Sequence, residues 1–142
     1  MENLKQRLAK LKLESQDDQN MLNDILEEVK AAHLSKDMLV PLLRVLENNP
    51  SYHFGTPGTI VHTIEKIYII DKEDEEYFNL LIQSAERVPT EYNLWLMNRI
   101  MNTFEEKSQI EKGLTVFRKV VHETTNDSLR EIVQEFIENF DE

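Results

Sequence analysis

The chain reads as an all-helical protein, a short stack of about seven or eight helices paired into hairpins, with a compact helical bundle as the alternative. Three observations predict it. Apolar residues recur at helical spacing through nearly every segment, and no strand-like alternation appears. Glycine and proline are scarce, three and four in 142 residues, so few points break a helix. Candidate helix starts also fall into two interleaved series. Ser35, Asp71 and Ser108 are 36 and 37 residues apart, and Thr56, Thr90 and Asp127 are 34 and 37 apart. A period of about 36 is the length of a two-helix repeat unit. Residues 1–142 are read as one helical domain.

Each element follows from its own stripe and its own start signal. Leu4, Leu8 and Leu11 give a first amphipathic helix. Met21, Leu22, Ile25, Leu26 and Val29 give a second, with Asp17 or Asp18 as its cap. Ser35 reads as the cap of a third, carrying Met38, Leu39, Leu42, Leu43 and Leu46. Pro41 inside it lacks an N–H and predicts a kink or a late start. Residues 49–58 form the one clear loop. Thr56 then Pro57 reads as a helix start, and Ile60, Ile64 and Ile67 follow at core spacing. Asp71 opens a helix with Tyr77, Phe78, Leu81, Ile82 and Ala85 inward, and Val88-Pro89-Thr90 breaks it. Thr90 caps a helix bearing Tyr92, Trp95, Leu96 and Ile100. Ser108 and Glu111 have capping-box spacing. Asn126 or Asp127 caps the last helix, whose inward residues are Leu129, Ile132, Val133, Phe136, Ile137 and Phe140.

Composition excludes several functions. The formal charge is −11, which argues against direct binding of nucleic acid or of an anionic membrane surface. Without cysteine, disulfide scaffolds, thiol catalysis and cysteine-based zinc sites are absent. No 18-residue apolar run exists, and the first fifteen residues read as an amphipathic helix, not a signal peptide, so the expected compartment is the cytoplasm. No phosphate-binding glycine loop or nucleophile elbow is present, and no catalytic residue, metal or cofactor is expected. His62 and Glu65 share a helix face, but in the wrong order and number for a carboxylate-bridged metal site.

Two features stand above this background. Residues 71–76 carry −4 and residues 131–142 carry −5, most of the net charge. Concentrated negative charge speeds and orients encounter with a basic partner. Glu73, Asp74, Glu75, Glu76, Glu131, Glu135 and Glu138 are therefore the expected partner-binding residues, and Tyr52 and His53 of the loop at 49–58 are expected with them, because aromatic residues anchor interfaces. The second feature is a set of polar and aromatic residues around that loop and the Trp95 helix. His62, Glu65, Asn98 and Arg99 are expected to form a structural network, with Arg99 paired to Glu65.

The run Phe54-Gly55-Thr56-Pro57-Gly58, then Val61-His62 and Glu65, then Pro89-Thr90 with Leu94-Trp95-Leu96-Met97-Asn98-Arg99-Ile100 and Asn102, resembles a group of small all-helical immunity proteins. These accompany bacterial contact-dependent growth-inhibition and polymorphic toxins. The resemblance covers residues 54–102. It implies a non-enzymatic inhibitor that binds the basic C-terminal domain of a cognate toxin, expected to be a nuclease, and masks its active site. The alternatives are a helical-repeat adaptor without inhibitory role and a carboxylate-lined enzyme. The oligomeric state is not set by the sequence.

Overall fold

The computed structural model describes residues 3–32, 34–55, 58–70 and 72–140, and among them every regular element is helical. The helices are α1 (Leu4–Ala9), α2 (Gln16–Ala32), α3 (Leu39–Asn48), α4 (Thr59–Ile70), α5 (Asp74–Arg87), α6 (Glu91–Met101), α7 (Lys107–Glu123) and α8 (Asp127–Phe140), with a 3-10 turn over Lys36–Met38. The two interleaved series persist, with starts at Leu39, Asp74 and Lys107 and at Thr59, Glu91 and Asp127.

The chain divides into two compact units, Met1–Leu80 and Leu81–Glu142, and the division falls within α5. In the first unit α1 packs on α2 and α3, and α4 packs on α2 and α3. Contact both with the chain neighbour and with the next helix but one is what two stacked hairpins produce. Its core is aliphatic: Leu8, Leu22, Ile25, Leu26, Leu42, Leu46, Ile60, Ile64 and Ile67 are all essentially inaccessible. In the second unit α6, α7 and α8 pack mutually around Phe117, Leu94, Met97 and Val133, and the Phe117 ring meets that of Phe136 at 5.7 Å.

The structure moves several of the expected starts. The first helix ends at Ala9, so Leu11 is buried from an irregular segment and not from a helical stripe. Ser15 caps α2, not Asp17 or Asp18: its Oγ accepts from the Asp18 N–H at 3.2 Å, while Asp18 accepts from the Glu14 and Ser15 N–H groups at 2.9 and 3.0 Å. That is a reciprocal box, and the Glu14 N–H foremost holds the Asp18 carboxyl below its ordinary range. Met21 turns outward, 51% exposed, because the buried arc of α2 begins at Leu22. Ser35 precedes the 3-10 turn without a side-chain capping bond, and α3 starts late, with Pro41 in its first turn where a missing N–H costs nothing. The expected Ser108–Glu111 box is absent. Helix α7 begins two residues earlier than that box requires, with Glu106 in the cap position, and Glu111 pairs instead with Arg118, at 2.6 Å. Thr56, Pro57 and Asp71 lie outside the described residues. Helix α4 itself runs from Thr59, and the first backbone bond of α5 runs from the Tyr77 N–H to the Glu73 carbonyl.

Other starts stand where the sequence places them. Thr90 caps α6 in a full box with Asn93, and the Asn126 side chain accepts from the Leu129 N–H at 3.1 Å. In the loop before α4, Gly55 and Gly58 adopt φ of +113° and +93°. A Cβ on Gly58 would sit on the Phe54 carbonyl oxygen, so only glycine fits.

Each unit holds one buried asparagine that closes a connection. Asn49 donates from Nδ2 to the Val45 and Leu11 carbonyls at 2.9 and 3.3 Å, and its Oδ1 accepts from the Leu13 N–H at 2.8 Å. The irregular segment after α1 is thereby tied to the end of α3. Asn93, wholly buried, donates to the Val88 carbonyl at 2.9 Å and Ser84 Oγ at 3.1 Å, and accepts from the Thr90 N–H at 2.9 Å. Replacing Asn49 with Ala strands buried backbone groups. The expected loss is roughly 1–3 kcal/mol in urea denaturation. The exposed neighbour Asn48, changed to Ala, should stay within about 0.5 kcal/mol of wild type.

Candidate functional site

The acidic run opening α5 is placed by helix-start electrostatics. Asp74, Glu75 and Glu76 occupy the first turn, where carboxylates meet the positive end of the helix. The structure also gives these acids partners within the first unit. Lys36, in the 3-10 turn before α3, sets its ammonium 3.3 Å from Glu73 and 3.2 Å from Glu76. The bond to Glu76, then that to Glu73, raises the Lys36 pKa above its ordinary value. The Tyr68 hydroxyl donates to Asp74, and its ring stacks on Tyr77 with centroids 4.3 Å apart. Glu75 points outward and pairs with none of the described residues.

On α8, Glu131, Glu135 and Glu138 fall at i, i+4 and i+7, so they share one face, and all three are exposed. The opposite side carries the buried Leu129 and Val133. The helix has one cation, Arg130, and it is occupied. Its guanidinium donates to the Val121 carbonyl at 3.2 Å and to the Thr124 carbonyl, closing the end of α7, and meets Asp127 at 2.6 Å. The three glutamates therefore have no counter-charge among the described residues. Asp141 and Glu142, the end of the acidic run, lie outside them.

Tyr52 is half-buried: its hydroxyl donates to Gln19 of α2, and its ring meets Phe54 edge-on at 4.9 Å. It holds the loop against α2. His53 beside it is exposed. The four residues expected to form a network are divided between the units. His62, exposed, and Glu65, half-buried, stand on α4, whereas Asn98 and Arg99 stand on α6. Asn98 is buried with its side-chain oxygen unpartnered. The Arg99 guanidinium lies 4.6 Å over the ring of Trp95, which is half-buried and not fully in the core.

Sequence reasoning missed both cation clamps, since neither Lys36 nor Arg130 belongs to a motif. Nor did it single out Ile69 and Ile70 at the end of α4, which are 69% and 58% exposed. Helical phase would have found this: Ile69 lies about half a turn from the Ile60–Ile64–Ile67 stripe. Two open clefts lie elsewhere on the described surface. One of about 250 Å³ is lined by Ala85, Glu86, Pro89, Val116, Lys119, Val120, Glu123 and Thr124. The other, of about 440 Å³, is lined by Arg7, Lys10, Leu11, Lys12, Asp18 and Met21. Among the described residues no group of three or more histidines or acids could hold a metal ion, and no helix is long and apolar enough to cross a membrane.

Comparison with known proteins found no matching family model, no matching curated protein and no matching solved structure.

Burial, then the bond to Asp74, pushes the Tyr68 hydroxyl from 10.0 up to about 12. The folded chain favours the protonated phenol. That contribution is complete below pH 10 and is lost as pH rises through about 12. The stability difference between wild type and Tyr68→Phe should accordingly stay level up to pH 10 and shrink above it. Denaturant titrations at a series of alkaline pH values measure this.

Proposed function

We propose that this chain is an immunity protein: it binds the basic C-terminal domain of a cognate bacterial toxin and masks its active site, with no catalysis of its own. The observation that carries the reading is the uncompensated row Glu131, Glu135 and Glu138 on α8, whose one neighbouring cation is committed to backbone carbonyls. Fixed carboxylates on a rigid helix suit a cationic site built for phosphate, which makes a nuclease the expected target. The resemblance of residues 54–102 to helical immunity proteins supports the same reading. The structure adds how those motif residues are used. Val61, Leu94, Leu96, Met97 and Ile100 are core, and Gly55 and Gly58 shape the loop, whereas His62 and Arg99 of the same motif are exposed.

The stacked hairpins of the first unit equally suit a helical-repeat adaptor. Growth separates the two. Co-expression with the C-terminal domain of the protein encoded directly upstream should restore growth if the chain is an inhibitor; an adaptor would leave the cells poisoned.

Changing Glu131, Glu135 and Glu138 together to Lys should abolish that protection. The thermal midpoint should hardly move, because exposed charges contribute little to stability. With wild type, association with the purified toxin domain should slow steeply between low and physiological ionic strength. A rate flat across that range would reduce the charge to a solvation role.

A further inference from the structure

Helix α8 buries its apolar stripe less completely than other helices of the chain. In α2 the residues Leu22, Ile25, Leu26 and Val29 are closed to solvent, and in α4 so are Ile60, Val61, Ile64 and Ile67. In α8 only Leu129 and Val133 are buried, whereas Ile132, Phe136, Ile137 and Phe140 are each half-buried. The Phe136 ring meets Phe117 of α7, yet both flanks of the stripe keep part of their surface in water. The two flanks differ in charge. At about 100° per residue, Ile132 lies about 60° round the helix from Glu135, with Phe136 about 40° further on, toward the core. Ile137, on the other flank, lies about 100° or more from each of Glu131, Glu135 and Glu138, and about 20° from Arg130. The Arg130 guanidinium is committed to the Val121 and Thr124 carbonyls. So one flank sets apolar surface beside the uncompensated carboxylates, and the other sets it beside a cation. All of these α8 residues belong to the second unit.

We propose that the Ile132–Phe136 flank of α8 receives a basic amphipathic helix of the partner. Its apolar side chains lie against Ile132 and Phe136, and its lysines or arginines run along Glu131, Glu135 and Glu138. The occupant follows from charge complementarity along a single helix. The row draws a cationic segment and repels an anionic one, including the same row of a second copy of this chain. The glutamates fall at i, i+4 and i+7, the spacing at which a helical partner presents its own side chains. Covering the half-buried aliphatic and aromatic surface adds affinity that charge alone does not supply. This deepens the reading of α8 as the partner-binding helix and rests on it. The glutamates act by long-range attraction, and the Ile132–Phe136 flank acts by short-range desolvation.

Two synthetic 18-residue peptides test it, with identical lysines, one bearing leucines along a helical stripe and one bearing serine at each leucine position. By fluorescence anisotropy at physiological salt, wild type should bind the leucine peptide about tenfold more tightly than the serine peptide. Ile132→Ala should bring that preference to about threefold or less, and Ile132→Thr, which keeps the branched shape, should do the same. Ile137→Ala is the matched control, equal in residue type and burial class but beside Arg130. It should keep the preference within about twofold of wild type. Urea midpoints of the Ile132 and Ile137 variants should be similar, so a difference in peptide binding reports the flank and not the fold. Wild type without the preference, either Ile132 variant retaining it, or Ile137→Ala losing it as fully overturns the proposal. A chain that shows the preference but fails to restore growth supports this surface while striking the inhibitor reading. Growth restored without the preference strikes this surface alone.

Discussion

The connections between helices are the points on which this fold depends, and a buried asparagine closes one in each unit. A helical chain that turns back on itself exposes backbone N–H and C=O groups at every reversal, and burying them unpaired costs more than packing the flanking leucines returns. Asn49 meets this with one side chain, supplying an acceptor to the Leu13 N–H and donors to the Leu11 and Val45 carbonyls. The segment after α1 can then lie against the end of α3 with Leu11 and Leu13 buried. Asn93 does the equivalent for the turn before α6, and Ser84 Oγ takes its spare donor. An amide suits the task because it carries both a donor pair and an acceptor without charge, so it can be buried where aspartate or lysine could not.

The same economy governs the cations. The chain has sixteen against 27 acids, and at two places a cation is committed to internal geometry. Arg130 closes the end of α7, and Lys36 ties the start of α5 to the turn before α3. Negative charge is thereby left outward on α8 and at Glu75, where no cation among the described residues pairs with it. The acidity of the surface is thus coupled to the way the helix ends are closed. A cation moved from Arg130 to neutralise Glu131 would leave the carbonyls of Val121 and Thr124 without this donor.

Much of this was legible in the sequence because periodicity and caps are local. The stripe Ile60–Ile64–Ile67, the Thr90 start and the Asn126 cap each depend on residues within a turn of one another, and each stands as read. What escaped is non-local or degenerate. Serine at 108 has the capping pattern, yet the helix starts at Lys107 and Glu111 finds Arg118 seven residues on. Asn49 gives no sign that its partners lie 36 and 38 residues away. Lys36 looks like any surface lysine until the fold brings Glu73 and Glu76 to it. The exposure of Ile69 was readable, since helical phase alone turns it away from the Ile60–Ile64–Ile67 stripe.

Fold and surface ask different things of the residues on one helix, and α4 shows how both are met. Its inward stripe of Ile60, Ile64 and Ile67 is closed to solvent, so substitution there acts on stability first. Its last two residues lie past the packed stripe and contribute little burial to the core. Selection for stability alone would favour polar side chains at that end, since exposed isoleucine adds no core contact and raises the risk of association. Isoleucine in both positions is therefore not accounted for by packing within the first unit. The far side of the junction is more firmly held: Tyr68 bonds Asp74 and Lys36 bonds Glu73 and Glu76, so the carboxylates that open α5 are ordered by the fold itself.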